Sequence, residues 1–272
     1  LLRYLKKIFY NSVAELRIMN NSTSPLISII IATFNASTCI TKALDSIINQ
    51  SFQNWECIVQ DGGSSDNTIS ILQKYSLLDH RIKYYSEPDE GIFDALNKGI
   101  KKAEGQWIYV LGSDDILNPQ TFSDINCYLN DNNDIIYGKI ELVFPNKSTQ
   151  TVSPKHIKSI RYMMIANHQS IIMRKDLINK LNGFNKVYKI SADFDLLQRA
   201  YLFKAKFLET DVCFAKFSYT GVSSQFSFKK QRDHYLICKR NKANFCPLLF
   251  HFLVESKHIL GFLYKKFIKK NL

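Results

Sequence analysis

Three short stretches of this chain could hold a ligand, and two of them put carboxylates beside small residues. Thr33-Phe34-Asn35, Asp61-Gly62-Gly63-Ser64-Ser65-Asp66 and Gly112-Ser113-Asp114-Asp115 each follow an apolar run. Adjacent acids with no His or Cys beside them favour a hard cation with oxygen ligands, Mg²⁺ or Mn²⁺. Such ions commonly neutralise phosphates. Gly62 and Gly63 let the backbone come close to a ligand. Neither G-x-G-x-x-G nor G-x-x-x-x-G-K-[ST] occurs, so neither the dinucleotide nor the P-loop way of holding phosphate applies. Further on, Asp193 and Asp195 stand at i and i+2. Such a pair cannot point the same way on a helix, so at most one of them faces a cleft. Ser191 is placed to cap that helix, with Asp193 in its first turn, where the dipole favours the ionised form. A carboxylate kept ionised is a base.

The elements that must position these residues alternate. Leu26 to Thr33 is a short β-branched run, the pattern of a strand buried on both faces. Ser37 opens a helix carrying Ile40, Leu44, Ile47 and Ile48. Trp55 to Gln60 is a second strand, and Asp66 is placed to cap the helix that carries Ile69, Ile71 and Leu72. Arg81 to Tyr85 is a third strand. Ile92, Leu96, Ile100 and Ala103 form a helix face, and Trp107 to Leu111 is a fourth strand, with both tryptophans expected in the core. This rhythm predicts a parallel sheet covered by helices, with ligands at the carboxyl ends of its strands. After Asn118-Pro119 the pattern changes. Ile136, Gly138, Ile140, Leu142 and Phe144 alternate as in a mixed or antiparallel strand. His168 to Arg174 reads as another strand and Ser191 to Phe203 as a helix.

The chain has 272 residues and a formal charge of +12, unevenly placed. From Lys229 to Leu272 there are eleven Lys/Arg against two acids. A basic tail on a near-neutral body suits an anionic membrane surface or nucleic acid. The tail also holds the apolar stretches Pro247 to Val254 and Ile259 to Tyr264, interrupted at Glu255 to His258, too short to span a bilayer. A helix lying on a membrane fits this pattern, and so does a helix packed on the body with a solvated lysine end. Six cysteines at 39, 57, 127, 213, 238 and 246 include no C-x-x-C pair, which points to buried reduced thiols in the cytosol. Leu1 to Tyr10 lacks the long apolar stretch and cleavage site of a secretory leader.

The stretches PLISIIIATFNA, IVQDGGSSDNT and EPDEGIFDALNKGIKKAEGQWIYVLGSDD, in that order, resemble the family 2 glycosyltransferases of GT-A-type fold. NHQSIIMRKDLINKLNGFN, ISADFDLLQRA and YTGVSSQ resemble the acceptor half of the same family. The resemblance implies one α/β domain with a Rossmann-like, mostly parallel central sheet flanked by helices. The domain runs over 25–228, with a nucleotide-sugar half (25–118) and a mixed acceptor half (119–228). A lead-in (1–24) precedes it and a basic amphipathic helical region (229–272) follows.

By resemblance, Thr33, Phe34 and Asn35 lie under the base and ribose, and Asp61 accepts a hydrogen bond from the base, typically uracil. Asp94, with Lys98 one turn on, lies near the donor sugar or phosphate. Ser113 and Asp114 line the donor, and Asp114 and Asp115 match the acidic motif that binds Mn²⁺ or Mg²⁺; either can be the direct ligand. Asp193 matches the general base, and His168 and Arg199 are candidates for holding the acceptor. Gly62, Gly112 and Ala192 stand where relatives often carry acids. The implied reaction is inverting transfer of one sugar from a UDP-sugar to a saccharide, polyprenyl-diphosphate-linked by analogy, in surface-polysaccharide synthesis. The expected place is the cytoplasmic face of the membrane, reached through the tail, with no nucleic-acid partner and the oligomeric state left open. A nucleotidyltransferase is the alternative enzyme, but residues 34 to 41 offer no Lys or Arg for a triphosphate. A nucleic-acid-binding protein is the non-enzymatic one, and for it the charge sits in the wrong place. A catalytically dead scaffold is the remaining possibility, because Gly62 and Gly112 replace acids common in relatives, against which Asp61, Asp114, Asp115 and Asp193 remain.

Overall fold

A computed structural model of the chain describes residues 24–219 and 228–241. The lead-in over 1–23, most of the YTGVSSQ stretch and the apolar, basic segment over 242–272 lie outside them. Strands β1 (Ile27–Thr33), β2 (Trp55–Asp61), β3 (Ile82–Ser86) and β4 (Trp107–Val110) pair in parallel in the order β3-β2-β1-β4. Every residue of β2 is buried, and β1 is buried save for Ala32, so both read as continuous runs rather than alternating ones. Beyond β4 the sheet turns mixed. β8 (Ile171–Arg174) lies antiparallel to β4, and β6 (Ile135–Val143) antiparallel to β8. β9 (Phe207–Ser218) is parallel to β6, with β5 (Ile116–Leu117) antiparallel on its far side and β7 (Thr149–Val152) on β6. One continuous nine-stranded sheet therefore carries both halves.

Two cores cover its faces. Helices α1 (Ile40–Ile48), α2 (Thr68–Leu78) and the short α4 (Thr121–Ile125) bury Leu44, Leu72 and Phe122 against Ile29, Ile31 and Val59. Helix α3 (Ile92–Lys102), the short α5 (Lys175–Lys180) and helix α6 (Ala192–Leu202) bury Leu96, Leu177 and Leu196 against Ile30 and Ile58 on the other face. Trp55 and Trp107 are core residues, and each lies under an arginine, Arg81 at 3.7 Å and Arg174 at 5.1 Å.

The structure corrects several local expectations. α1 starts at Ile40, not Ser37. α2 buries Thr68, Leu72 and Tyr75 rather than Ile69 and Ile71, and its cap position is Asn67. Asp66, one residue outside, accepts from the N–H groups of Thr68 and Ser37 and so ties two loops together. Ile92 is 57% exposed because Phe93 takes the buried position at the start of α3. His168 to Ser170 is a 3₁₀ turn, and the strand begins at Ile171. Ser191 holds the cap position of α6, but its hydroxyl makes no capping bond. Cys57 and Cys238 are buried thiols as expected, whereas Cys127 is exposed.

The start of the basic region is a helix, α7 (Phe228–Arg240), and it packs on the body through Ile237 and Cys238. Its target is α6. Asp195 is fully buried and lies 2.7 Å from Arg199 Nε and 2.8 Å from Arg240 of α7. Gln198, also buried, donates to the carbonyls of Ile160 and Arg161 and accepts from Asn241 just past α7. Asp233 accepts from the N–H of Ile190, which leads into α6. A buried carboxylate that loses a cationic partner keeps its desolvation cost without compensation. Arg240→Ala is therefore expected to lower unfolding stability by about 2 kcal/mol. Lys239→Ala, at an exposed neighbour, should change it by less than about 0.5 kcal/mol. Urea titrations of the two variants check this; equal stabilities would show that the Asp195 contact carries no weight.

Candidate active site

The carboxyl ends of β1, β2 and β4 meet on one rim, as parallel pairing in register requires. Asn35 adopts a left-handed conformation, φ +49°, which asparagine tolerates better than most residues. That turn lets its Oδ1 accept from Ser65 N–H at 2.9 Å while its own N–H donates to Ser64 Oγ at 2.8 Å. Ala36 N–H donates to Thr68 Oγ1. The β1 and β2 loops are thus zipped together. Above them Phe34 is 63% exposed, and beneath them the Thr33 hydroxyl is buried with no partner.

Asp61, expected to meet a base, is fully buried. Its Oδ2 accepts from the N–H groups of Gly63 and Ser64, both at 2.9 Å, and from Ser86 Oγ at 2.7 Å. Its Oδ1 accepts from Ser64 Oγ. The side chain shapes its own loop instead of facing outward.

At the end of β4 the two acids differ. Asp114 is exposed, beside a half-buried Ser113; Asp115 is buried. Asp115 Oδ1 accepts from Ser218 N–H at 3.0 Å, while Oδ2 is buried with no hydrogen-bond partner among the described residues. Burial, with the nearby charge of Asp114, pushes the Asp115 carboxyl up to about 7. Both carboxylates crowd Gly112: a Cβ there would collide with Asp115 Oδ2 and lie 3.2 Å from Asp114 Oδ1. No group of three or more His, Cys, Asp or Glu side chains placed to hold a metal occurs among the described residues.

Asp94 and Lys98 do form an i,i+4 pair, at 3.5 Å. Both also bond other parts of the protein. Lys98 Nζ donates to Pro88 O at 2.7 Å. Asp94 receives Lys186 Nζ at 2.9 Å, a bond that holds its carboxyl down at about 2. Lys186 also reaches Glu90 at 3.0 Å, so the loop before α6 is clamped onto the start of α3. Asn97 completes the clamp, bonding both the N–H and the carbonyl of Phe184. Phe184 lies 5.4 Å from Phe93 and 5.5 Å from His168. Sequence reading missed Lys186, Asn97 and Phe184: Phe184 and Lys186 lie in the NGFNK turn and Asn97 on α3, and neither stretch gives a hint of its partner.

Asp193 and His168 line one small pocket whose other walls include Met164, Phe184 and Leu196. Burial holds His168 below its usual range, so it is neutral near pH 7, with the charge of Asp193 opposing that shift. Asp195 faces the other way, into the core. Arg199, expected at the acceptor, is spent on the scaffold: it bonds Asp195 and the carbonyls of Leu181 and Gly183.

Comparison with known proteins accounts for this arrangement. The family model described as Glycosyl transferase family 2 matches residues 28–197. A PGL/p-HBAD biosynthesis glycosyltransferase of Mycobacterium bovis BCG is 28% identical over 182 residues, 65% of this chain and 70% of that protein. An uncharacterized glycosyltransferase of Haemophilus influenzae is 38% identical over 112 residues, 41% of this chain and 35% of that protein. Among solved structures, S. aureus TarS 1-349 in complex with UDP-GlcNAc superposes with TM-score 0.62 at 22% identity, over 78% of this chain and 65% of that one. The mannosyltransferase PcManGT of Pyrobaculum calidifontis, in complex with GDP-Man and Mn²⁺, gives 0.61 at 15% identity, over 80% and 65%. The chain thus spans just under two thirds of those two structures. Their likeness is one of fold, the GT-A type, a mixed sheet flanked by helices. With the family's pattern running through both halves of that sheet, the chain belongs to glycosyl transferase family 2 and is a glycosyltransferase.

Proposed function

We propose that this enzyme transfers one sugar, with inversion, from a UDP-sugar to a hydroxyl of a lipid-carried saccharide, with Mn²⁺ or Mg²⁺ at Asp114 and Asp115. The observation that carries the reading is that acid pair. Two carboxylates meet over Gly112 at the end of a parallel strand, one of them with a buried oxygen that has no hydrogen-bond partner within 3.5 Å among the described residues. Two hard oxygen donors fit an ion that takes one or two carboxylates and completes its shell with phosphate and water. Such an ion, when bound, meets the charge that develops on the departing diphosphate.

The protein's own residues do the rest. Asp115, anchored by Ser218 N–H, presents its free oxygen to the cation, and Asp114 supplies the exposed one. Thr33, Phe34 and Asn35 border the nucleoside, and Ser113 lies beside the diphosphate. Asp193 takes the proton of the acceptor hydroxyl as it attacks, the role a carboxylate at hydrogen-bond distance can fill. His168 stands beside it, neutral, able to donate to or accept from the acceptor. Attack from the Asp193 side opposite the leaving diphosphate inverts the anomeric centre. Support for a UDP donor is the TarS complex; support for a lipid-carried acceptor in surface-polysaccharide synthesis is the basic C-terminal region. On α7, Lys229, Arg232 and Lys239 are exposed and make no ion pair with a described residue. No helix among the described residues is long and apolar enough to cross a membrane. A peripheral placement on the inner face of the membrane follows from this reading.

Calorimetric titration of UDP with and without Mn²⁺ tests the acid pair. Metal-dependent binding should disappear in the Asp114→Asn/Asp115→Asn double variant; binding indifferent to both would sink this site. Asp193→Asn should lower turnover by about 10²–10⁴-fold while leaving UDP-sugar affinity within about twofold. Reversing Lys229, Arg232 and Lys239 to Glu should weaken binding to anionic vesicles by about tenfold or more, since each cation near such a surface contributes about 1 kcal/mol. Unchanged vesicle binding, or a matching loss on single-stranded DNA, would count against the membrane placement.

A further inference from the structure

Asp61 has no acceptor position left for the base-reading role that the resemblance gives it. A carboxylate offers about four acceptor positions. Asp61 has given them to Gly63 N–H, Ser64 N–H, Ser64 Oγ and Ser86 Oγ, and its side chain is sealed from solvent.

A second carboxylate stands one residue away in space. Gly62 has no side chain, and the volume a Cβ would take is filled by Asp89: that Cβ would collide with Asp89 Oδ2 and lie 3.2 Å from its Cγ. The same point is 3.5 Å from the ring edge of Phe34. Asp89 is half-buried in the turn between β3 and α3. Its Oδ1 is anchored by Gly91 N–H at 2.8 Å, where Gly91 takes the φ of +120° that the turn needs. Its Oδ2 accepts no hydrogen bond from any described residue. An anchored anionic oxygen and an exposed aromatic ring therefore border one spot at the ends of β1 and β2. A planar base can stack on the ring, and the oxygen can take one N–H from the edge of the base.

We propose that Asp89, in the space Gly62 leaves open, is the residue that selects the nucleobase of the donor. The inference rests on the nucleotide-sugar reading above. A carboxylate only accepts. It favours a base whose ring nitrogen carries a proton, as in uracil, and repels one whose corresponding nitrogen is a lone pair, as in cytosine. Asp61 then has a different task, holding the loop that leaves Gly62 facing Asp89.

The experiment is calorimetry of UDP, CDP and 2′-deoxy-UDP, with Mn²⁺, on the full chain and three variants. Wild type should prefer UDP to CDP by about tenfold or more, the worth of one charge-assisted hydrogen bond. Asp89→Asn keeps an oxygen for Gly91 N–H but replaces the free acceptor by an amide, so UDP should weaken about tenfold and the UDP-to-CDP preference should collapse. Gly62→Ala, which evicts the carboxylate, should do the same with Asp89 intact. Asp61→Asn should lower the melting temperature and leave the preference in place. A preference unchanged in Asp89→Asn overturns the proposal. So does an Asp89→Asn loss that vanishes with 2′-deoxy-UDP, because the contact would then be to the ribose. Wild type that binds neither UDP nor CDP overturns the donor reading and this inference together.

Discussion

A carboxylate buried without water must be matched by positive charge held in place, and Asp195 is such a group. Its two arginines come from different places, one turn along its own helix and the far end of α7. Arg199 cannot serve Asp195 without also fixing the carbonyls of Leu181 and Gly183, at the start of the loop that carries Phe184 and Lys186. Lys186 in turn fixes Asp94 on the opposite half. The orientation of Asp193, two residues from Asp195, is thus set by a chain of charged contacts that reaches across the sheet. A buried ion pair is poor evidence of net stability. Here its effect is geometric, because every partner is also an anchor for something near the pocket.

The other half of the site depends on a simpler constraint. Parallel strands in register end together, so their loops share a rim whatever their sequences. What the loops add is rigidity. Asp61, Asp66 and Asn35 spend their side chains on neighbouring N–H groups, leaving few polar groups free on that rim. Thr33 Oγ1, Asp89 Oδ2, Asp114 and Asp115 Oδ2 are among those left. A surface on which most polar groups are satisfied makes the unsatisfied ones specific.

Much of this was legible in the sequence. The β-branched runs at 27–33 and 55–61 marked the parallel strands, and their spacing marked the helices between them. Asp114-Asp115 and Asp193 stand out only through the ordered motifs around them, because an acid pair ahead of Asn118-Pro119 suits a turn equally well. Asp61 is hard to read because a strand-end acid looks the same in sequence whether it greets a ligand or staples its own turn; only the count of donors around it tells. The partners of Arg199 are hidden in the same way. Asp89 was hidden by its turn, where Pro88 and Gly91 supply a sufficient local explanation. Asn97 and Phe184 lie 87 residues apart, and no periodicity links such a pair.

That separation bears on how the protein is made. The four parallel strands leave the ribosome ahead of the strands that complete the sheet, with β4 still showing an unpaired edge and the underside of α3 bare. The strand that covers the edge, β8, and the phenylalanine that seats against α3 come much later in the chain. At roughly 5–20 residues per second, the nascent half waits several seconds for them. An exposed strand edge beside an apolar face is a template for wrong partners. The order of the strands thus leaves an edge open during synthesis, where a holding chaperone is more useful to this chain than to a protein whose sheet closes in chain order.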